Sequence, residues 1–323
     1  MIVLGIESTA HTFGAGITEN KRVLANVRDI YQPASGGIHP REATLHHENV
    51  ADNAISQALA AAGIEENDID AVAYSAGPGI PGCLWVGLRH AKSISEKLGI
   101  PLIPVNHCIA HIEIGKAMTG AKDPVTLYVS GGNTQVLALV GGRYRVFGET
   151  QDIGIGNALD KLGRAMGLQH PGGPKIEQLA INGRWVELPY IVKGMDMSFS
   201  GILTQAEKML KKHNKNDISF SFQETCFSML TEVTERAVAH TEKDEVLLTG
   251  GVAANMRLQE MLSIMCKERG AEFYIVPKEY AGDNGVMIAW TGMLIYQSGR
   301  KFTESEITIN KFWRTDEVEI TWI

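Results

Sequence analysis

The chain opens on a short apolar run, Ile2–Ile6, of the kind a buried strand makes. Two further strand patterns follow at Gly14–Thr18 and Val23–Ile30, joined by tight turns. The apolar spacing then changes to that of a helix. Ile55, Leu59 and Ala62 recur at helical spacing in a segment from about Glu42 to Ala62, and Gly63 is a natural C-terminal stop. A buried strand at Ala71–Ser75 runs into the turn Gly77-Pro78-Gly79-Ile80-Pro81-Gly82, which leads into a helix ending near Gly99. Pro101–Val105 has the pattern of a strand and Cys108–Met118 that of a helix. Strands alternating with helices predict an α/β domain with a partly parallel sheet.

The pattern then restarts. Val125–Val129, Thr134–Val140 and Arg143–Glu149 are three strands joined by glycine turns, and a helix follows at about Ile155–Gly167. An irregular stretch reaches about Gly201. Helices occupy roughly Ile202–Lys212 and Phe220–His240. The last units are strand Glu245–Leu248, helix Arg257–Arg269, strand Phe273–Val276 and helix Asn284–Gln297. A β-β-β-α-β-α order therefore occurs twice, with little residue identity between the copies. It favours two similar α/β domains facing across a cleft, although two unrelated α/β domains would give the same periodicity. The boundaries expected are 1–123 for the first domain, completed by about 298–323, and 124–297 for the second, with a helical insertion near 170–240.

Composition narrows the class. With 323 residues, 44% hydrophobic and 21% charged, the chain buries a real core and is not a disordered tail. No apolar run reaches the ~18 residues of a spanning helix. The N-terminus has no basic region and meets Glu7 at once, so it reads as a strand and not a signal peptide. Cys83, Cys108, Cys226 and Cys266 form no C-x-x-C pair, which points to a reduced, cytoplasmic compartment and against a disulfide framework. The net charge of −7 excludes a wholesale polyanion coat. Residues 143–215 nevertheless hold 11 Lys+Arg against 7 Asp+Glu, a local net of +4. Lys208, Lys211, Lys212 and Lys215 cluster there, as a solvated helix face or as a footprint for phosphates.

Five constellations can carry chemistry, and each has a plainer alternative. His107 and His111 are four apart, so on a helix both imidazoles can reach one metal ion, or they are two unrelated surface histidines. The strand-turn Tyr128-Val129-Ser130-Gly131-Gly132-Asn133-Thr134 offers amides and hydroxyls to an anion, or is a simple hairpin turn. Gly250-Gly251-Val252-Ala253-Ala254-Asn255 suits a phosphate or a nucleoside packed on backbone at a helix start, or is strand-to-helix packing. Asp283 can be a third metal ligand or a helix N-cap. Asp160 and Glu177 lie near glycines, as ribose-binding carboxylates or as exposed helix acids.

Taken in order, these segments resemble one family. Gly5-Ile6-Glu7-Ser8-Thr9-Ala10-His11-Thr12, Gly36-Gly37-Ile38-His39-Pro40-Arg41-Glu42 and Asn106-His107-Cys108-Ile109-Ala110-His111-Ile112-Glu113 all match it. So do the turn at Tyr128–Thr134, Ser198-Phe199-Ser200-Gly201 and the run Gly250–Asn255. The chain resembles, from Ile2 to about Trp313, the universal tRNA threonylcarbamoyladenosine transferases in their archaeal and eukaryotic form, the catalytic subunit of the KEOPS complex. The bacterial relative is TsaD. The resemblance implies an actin-like (ASKHA) fold, two ribonuclease-H-like domains around a nucleotide cleft. It implies a divalent or ferric metal ion, iron or zinc, held by His107, His111, Tyr128 and Asp283. Tyr128, Val129, Ser130, Gly131 and Gly132 would hold the phosphate and threonylcarbamoyl group. Asp160, Gly173 and Glu177 would hold the ribose, and Asn255 with the Gly250-Gly251 turn the adenine end. The nucleotide would be threonylcarbamoyl-adenylate, ATP or AMP.

The implied reaction moves threonylcarbamoyl from its adenylate to the N6 amine of the tRNA adenosine beside the anticodon, releasing AMP. The donor is already an activated mixed anhydride, so no nucleophilic side chain is demanded. The general base stays open among Glu7, His39 and metal-bound groups. Implied partners are tRNA, a small dimeric KEOPS subunit on first-domain helices, and an atypical KEOPS kinase. Some archaeal relatives carry that kinase as a fusion, and the apolar ending Glu319-Ile320-Thr321-Trp322-Ile323 raises the expectation of a longer natural polypeptide. No membrane partner is implied. Rival functions are a metallopeptidase, for which Cys108 occupies the usual glutamate position, a small-molecule kinase, and a nucleotide-binding scaffold without turnover.

Overall fold

A computed structural model describes residues 1–33 and 37–322. Gly36 of the Gly36–Glu42 motif and the terminal Ile323 lie outside the described residues. In chain order the elements begin with strands β1 (Ile2–Glu7), β2 (Thr12–Glu19) and β3 (Arg22–Ile30) and helix α1 (Pro40–Ala62). Strand β4 (Ala71–Gly77), helix α2 (Pro81–Leu98), strand β5 (Leu102–Asn106) and helix α3 (His107–Thr119) come next. The pattern resumes with β6 (Val125–Val129), β7 (Thr134–Val140), β8 (Arg143–Glu149), α4 (Ile155–Ala165) and α5 (Gly173–Ala180). A two-rung ladder, β9 (Val192–Lys193) and β10 (Asp196–Met197), precedes α6 (Ser200–Met209) and α7 (Lys215–Thr241). The chain closes with β11 (Glu245–Thr249), α8 (Met256–Arg269), β12 (Glu272–Ile275), α9 (Lys278–Ala281) and α10 (Gly285–Gln297).

Two five-stranded sheets have orders β3-β2-β1-β4-β5 and β12-β11-β6-β7-β8. Read from β8, the second has the same order as the first. In each, the first strand pairs antiparallel with the second and parallel with the fourth. The doubled element order is thus a doubled topology.

The chain divides into two compact units. One holds Met1–Ile114, Gly141–Arg143 and the chain from Asp283 onward; the other holds Gly115–Val140 and Tyr144–Gly282. The boundaries expected from sequence differ at both ends of the second unit: residues 115–123 belong to it and not to the first, whereas 283–297 belong to the first, because α10 packs on β1 and β2. Its sides are apolar all round, and Val286, Met287, Ile288 and Ala289 are all buried, as expected of a helix enclosed in a core. Glycines make the seat: a Cβ at Gly5 or Gly16 would run into the backbone of Gly285, Val286 or Ala289. Beyond α10 the chain lies against the first unit without long elements. Asn310 N–H donates to Ala76 O at 2.7 Å, and Tyr74 Oη donates to Thr308 O at 3.0 Å.

The core of the second unit is built from β6, β7, β11 and the helices α4, α6, α7 and α8. The stretch before Gly201, expected to be irregular, contains α5. Its start, Gly172-Gly173-Pro174, looks like a loop, yet proline in the first turn of a helix loses no needed hydrogen bond. Helix α7 begins earlier than its apolar pattern, at Lys215, because the Asn214 side chain accepts from Asp217 N–H at 2.8 Å.

Candidate functional site

In the first unit the chemistry gathers where β1 and β5 end, the edge at which open α/β sheets place ligands. Asn106 ends β5, and its Oδ1 accepts from Cys108 N–H at 3.0 Å and Ile109 N–H at 3.2 Å. That cap starts α3 at His107, so His107 and His111 stand one turn apart on one face. Their ring centroids are 4.7 Å apart and nearly perpendicular.

Asp283 completes the cluster. The sequence left it between ligand and helix cap, and the structure gives the cap to its neighbour: Asn284 Oδ1 accepts from Met287 N–H at 3.0 Å at the start of α10. The Asp283 carboxylate is turned instead to the histidines, with Oδ1 3.2 Å from His111 Nε2 and 3.6 Å from His107 Nε2. Ligand atoms about 2.1 Å from one tetrahedral centre lie roughly 3.4 Å from each other, so these separations suit a shared ion. The three ligand atoms fall within 4.8 Å of one another, and both histidines are buried.

Behind them stands Glu7, fully buried at the end of β1. Its Oε2 lies 3.0 Å from His107 Nδ1. Its Oε1 accepts from Thr9 N–H at 2.7 Å and from Thr9 Oγ1 at 2.5 Å. A carboxylate so engaged orients the ring and leaves Nε2 aimed at Asp283. This weakens Glu7 as a general base, and His39, an exposed residue at the N-cap position of α1, is not part of the cluster. Burial pushes the His107 imidazole down, but the Glu7 charge and hydrogen bond and the Asp283 charge outweigh it and hold the ring at about 9. His111 is pushed down, mainly by burial, with His107 also opposing its charge. Burial works against the charged form of Asp283, yet the bond to His111 and the charge of His107 keep its carboxyl well below the usual range. The pocket of donors thus favours positive charge in front of Asp283.

The second unit holds the other expected site residues. Tyr128 and Val129 are buried near the end of β6, and Ser130-Gly131-Gly132-Asn133 turns the chain into β7. The hairpin and the anion-cradle alternatives are both partly met. Ser130 N–H donates to Asn133 O at 2.8 Å, as in a tight turn. The turn also sits on the N-terminus of α4, where Gly156 N–H donates to Ser130 O at 3.1 Å and Asn157 N–H to Gly131 O at 3.0 Å. A Cβ at Gly154 or Gly156 would strike this turn, and one at Gly250 would strike Val129. The backbone around Gly131 and Gly132 is therefore held without side chains in the way.

Asp160 on α4 accepts from Gly172 N–H at 2.6 Å and lies 3.4 Å from His170 Nδ1, which fixes it beside Gly173. Glu177 on α5 accepts from Met256 N–H at 2.6 Å at the start of α8. Asn255 caps that same helix through Arg257 N–H and Leu258 N–H, and its Nδ2 donates to Gln223 Oε1 at 3.0 Å. Asp160, Gly173, Glu177 and Asn255 are thus linked in one neighbourhood of the second unit. The side chains of Asp160, Glu177 and Asn255 are all engaged with the protein's own backbone, a feature that sequence spacing does not disclose.

Asp152 was not singled out by sequence. Its carboxylate accepts from Ile153 N–H at 2.7 Å and from Phe199 and Ser200 N–H at 3.0 Å each, pinning the Ser198–Gly201 motif. Burial opposes its charge, but the bonds from Phe199, Ile153 and Ser200 outweigh that and lower its pKa. A carboxyl lowered on folding stabilises above its unfolded pKa of about 3.9, and the contribution is lost as pH falls through the folded value. Asp152 is exposed, so solvent screens its charge; Asp152→Ala should cost about 1 kcal/mol or less at pH 7, and its deficit relative to wild type should shrink below about pH 4. Urea unfolding of both proteins across that range checks this; a deficit independent of pH would mean that the carboxylate charge is not what holds the motif.

The model of the TsaD family, described as tRNA N6-adenosine threonylcarbamoyltransferase, matches residues 22–290. A tRNA N6-adenosine threonylcarbamoyltransferase of Thermococcus gammatolerans is 56% identical over 325 residues, covering 100% of both chains. A probable bifunctional tRNA threonylcarbamoyladenosine biosynthesis protein of Methanosarcina barkeri is 54% identical, with 99% of this chain matching 60% of that one. Among solved structures, T. kodakarensis HypF aligns with a TM-score of 0.67 at 15% identity, over 92% of this chain and 48% of that chain. At that identity the likeness speaks to the fold, which is actin-like.

Proposed function

The chain belongs to the tRNA N6-adenosine threonylcarbamoyltransferase family, and from that premise we propose how its residues divide the work of the transfer. The reaction places a threonylcarbamoyl group on the N6 amine of a tRNA adenosine. The donor we assign is threonylcarbamoyl-adenylate, with AMP leaving.

The observation that carries the assignment is the buried cluster of His107, His111 and Asp283, with Glu7 behind it. Two imidazoles and a carboxylate suit zinc or iron. Bound there, the ion would supply a fixed positive charge to orient the donor and polarise its carbonyl. Glu7 holds the His107 ring in the orientation that keeps Nε2 available. Of the four ligands that the resemblance names, these three lie in the first unit; Tyr128 lies in the second, and the assignment rests on the three.

In the second unit the turn Ser130–Gly132 is assigned to the donor phosphate, where preorganised backbone N–H groups stabilise charge as AMP departs. Asp160, Gly173 and Glu177 are assigned to the ribose. Asn255 and the Gly250-Gly251 turn offer a backbone surface to the adenine. With an activated donor, the protein's remaining task is to place the amine, an effect of orientation.

Two partners belong to the same proposal. Helices α1 and α2 pack together and leave Leu45 49% and Trp85 53% exposed, an apolar face suited to the small dimeric KEOPS subunit. The bifunctional Methanosarcina relative supports a functional tie to a second activity, for which the KEOPS kinase is the candidate. Among the described residues no helix is long and apolar enough to cross a membrane, and a cytoplasmic location is proposed with the tRNA substrate.

Reconstitution tests this. The purified chain is supplied with threonine, bicarbonate, ATP, a synthase that makes the adenylate, the partner subunits and unmodified tRNA. Digested tRNA should contain threonylcarbamoyladenosine by mass. Donor binding without any product, in every partner combination, would favour a non-catalytic scaffold.

A further inference from the structure

Cations of the basic segment 143–215 differ from several that lie outside it. On helices α7 and α8 of the second unit, three arginines are matched by acids. Arg236 pairs with Glu232, Arg257 with Glu224 and Glu260, and Arg269 with Glu235. Lys243, just beyond α7, pairs with Asp123. By contrast, Lys161 and Arg164 on α4, Lys208 on α6, and Lys211 and Lys212 just after it are exposed, and among the described residues none is in an ion pair.

These five cations lie on, or just after, two helices that pack together. Lys161 and Arg164 are three apart, so they share a face of α4, and Lys208 and Lys211 have the same spacing at the end of α6. Helices α4 and α6 pack against each other. Between them lies an open cleft of about 330 Å³ lined by Lys161, Arg164, Ala165 and Glu207. Glu207 is the one acid in it, and it pairs with none of the cations. Lys161 and Arg164 share the cleft with a single acid, and the three lysines at the end of the neighbouring helix add like charge beside them, a repulsion that a bound anion would relieve. The spacing of several charges along two helices suits a chain of phosphates better than a single one. The strip also continues from the assigned donor site. Helix α4 starts at the Ser130–Gly132 turn, and Arg164 stands nine residues along it from Ile155, about 13 Å at the helical rise.

We infer that Lys161, Arg164, Lys208, Lys211 and Lys212 form a track for the phosphate backbone of the tRNA substrate. The inference rests on the transferase assignment for the identity of the nucleic acid, and on the charge arrangement for the place. Phosphate contacts set register and orientation and carry no sequence information, so the track positions any tRNA alike.

The test is binding of an unmodified tRNA transcript to the full chain, followed by anisotropy over a series of salt concentrations. The probe variants are K161Q/R164Q and K208Q/K211Q/K212Q. Each lost contact should lower the slope of log affinity against log salt by about 0.7–0.9, and each variant should bind about tenfold or more weakly near 0.1 M salt. A control, R236Q/R269Q, removes paired cations and should shift affinity far less. Thermal melts of all variants verify that they fold. Vesicles carrying anionic lipid form a second arm; retention of the wild type on vesicles with no tRNA binding would overturn the inference. So would unchanged slopes in both variants, or a wild-type chain that holds no tRNA even at low salt. In either of those last cases transfer in the reconstituted system could still proceed, which separates failure of the track from failure of the transferase assignment.

Discussion

Alanine at His107 or at His111 should lower threonylcarbamoyl transfer by about 100-fold or more, and each variant should be isolated with far less metal than wild type. The expectation follows from how few donors the cluster has. With His107, His111 and Asp283 as its ligands in the first unit, loss of one leaves two, too few to fix an ion's geometry. Glu7 is not free to replace the lost ring, since it is already taken by Thr9 and His107. Glu7→Gln separates ligation from orientation. It keeps an oxygen acceptor for Thr9 but no carboxylate for His107 Nδ1, so metal affinity should fall about 10–100-fold and recover in excess metal. Elemental analysis and transfer rates are read on the same preparations. If His107→Ala keeps both its metal and its rate, the ion lies elsewhere and the assignment is wrong. If it loses metal but transfers normally, the ion is structural.

Local signals in the sequence reach only part of this. The change from strand to helical periodicity was enough to show a doubled α/β order, because each element carries its own apolar pattern. The membership of α10 was not legible. A helix apolar on every side shows that it is enclosed, but not by which sheet. Helix α5 was hidden by Gly172-Gly173-Pro174, residues that serve loops and first helical turns alike. At the site, the i, i+4 spacing of His107 and His111 was visible, and α3 turned it into proximity. The role of Glu7 was not, because it meets His107 across 100 residues of chain and only strand order brings them together. Asp283 and Asn284 are adjacent residues that can both cap a helix. The choice of Asn284 as cap, which turns Asp283 toward the histidines, is a matter of backbone direction that composition does not contain. Asp152 gave no signal at all, since its partners are backbone N–H groups, two of them distant in sequence.

The seating of α10 yields the second large effect. Gly5 and Gly16 face each other across β1 and β2, and α10 lies on them with backbone touching backbone. A methyl group at Gly16 would meet Gly285 and the Val286 amide, and one at Gly285 would meet Ala15 and Gly16. A side chain can swing away from such an intrusion; these neighbours are main chain and can yield only if the whole helix lifts. Gly16→Ala should therefore cost about 3 kcal/mol or more, at the upper end for overpacking and a large share of the ~5–15 kcal/mol that holds a domain. Gly132→Ala makes the comparison fair, because a Cβ there has open space and φ outside the left-handed region; its stability should stay within about 0.5 kcal/mol of wild type. The consequence reaches the chemistry, since Asn284 and Asp283 sit at the N-terminus of the helix that would lift, and Asp283 is 3.2 Å from His111 Nε2. Urea midpoints and metal content measured together test both steps. A Gly16→Ala protein that unfolds with wild type would mean that α10 does not rest on these strands; one that is destabilised yet keeps its metal would mean that Asp283 is held by something other than the helix.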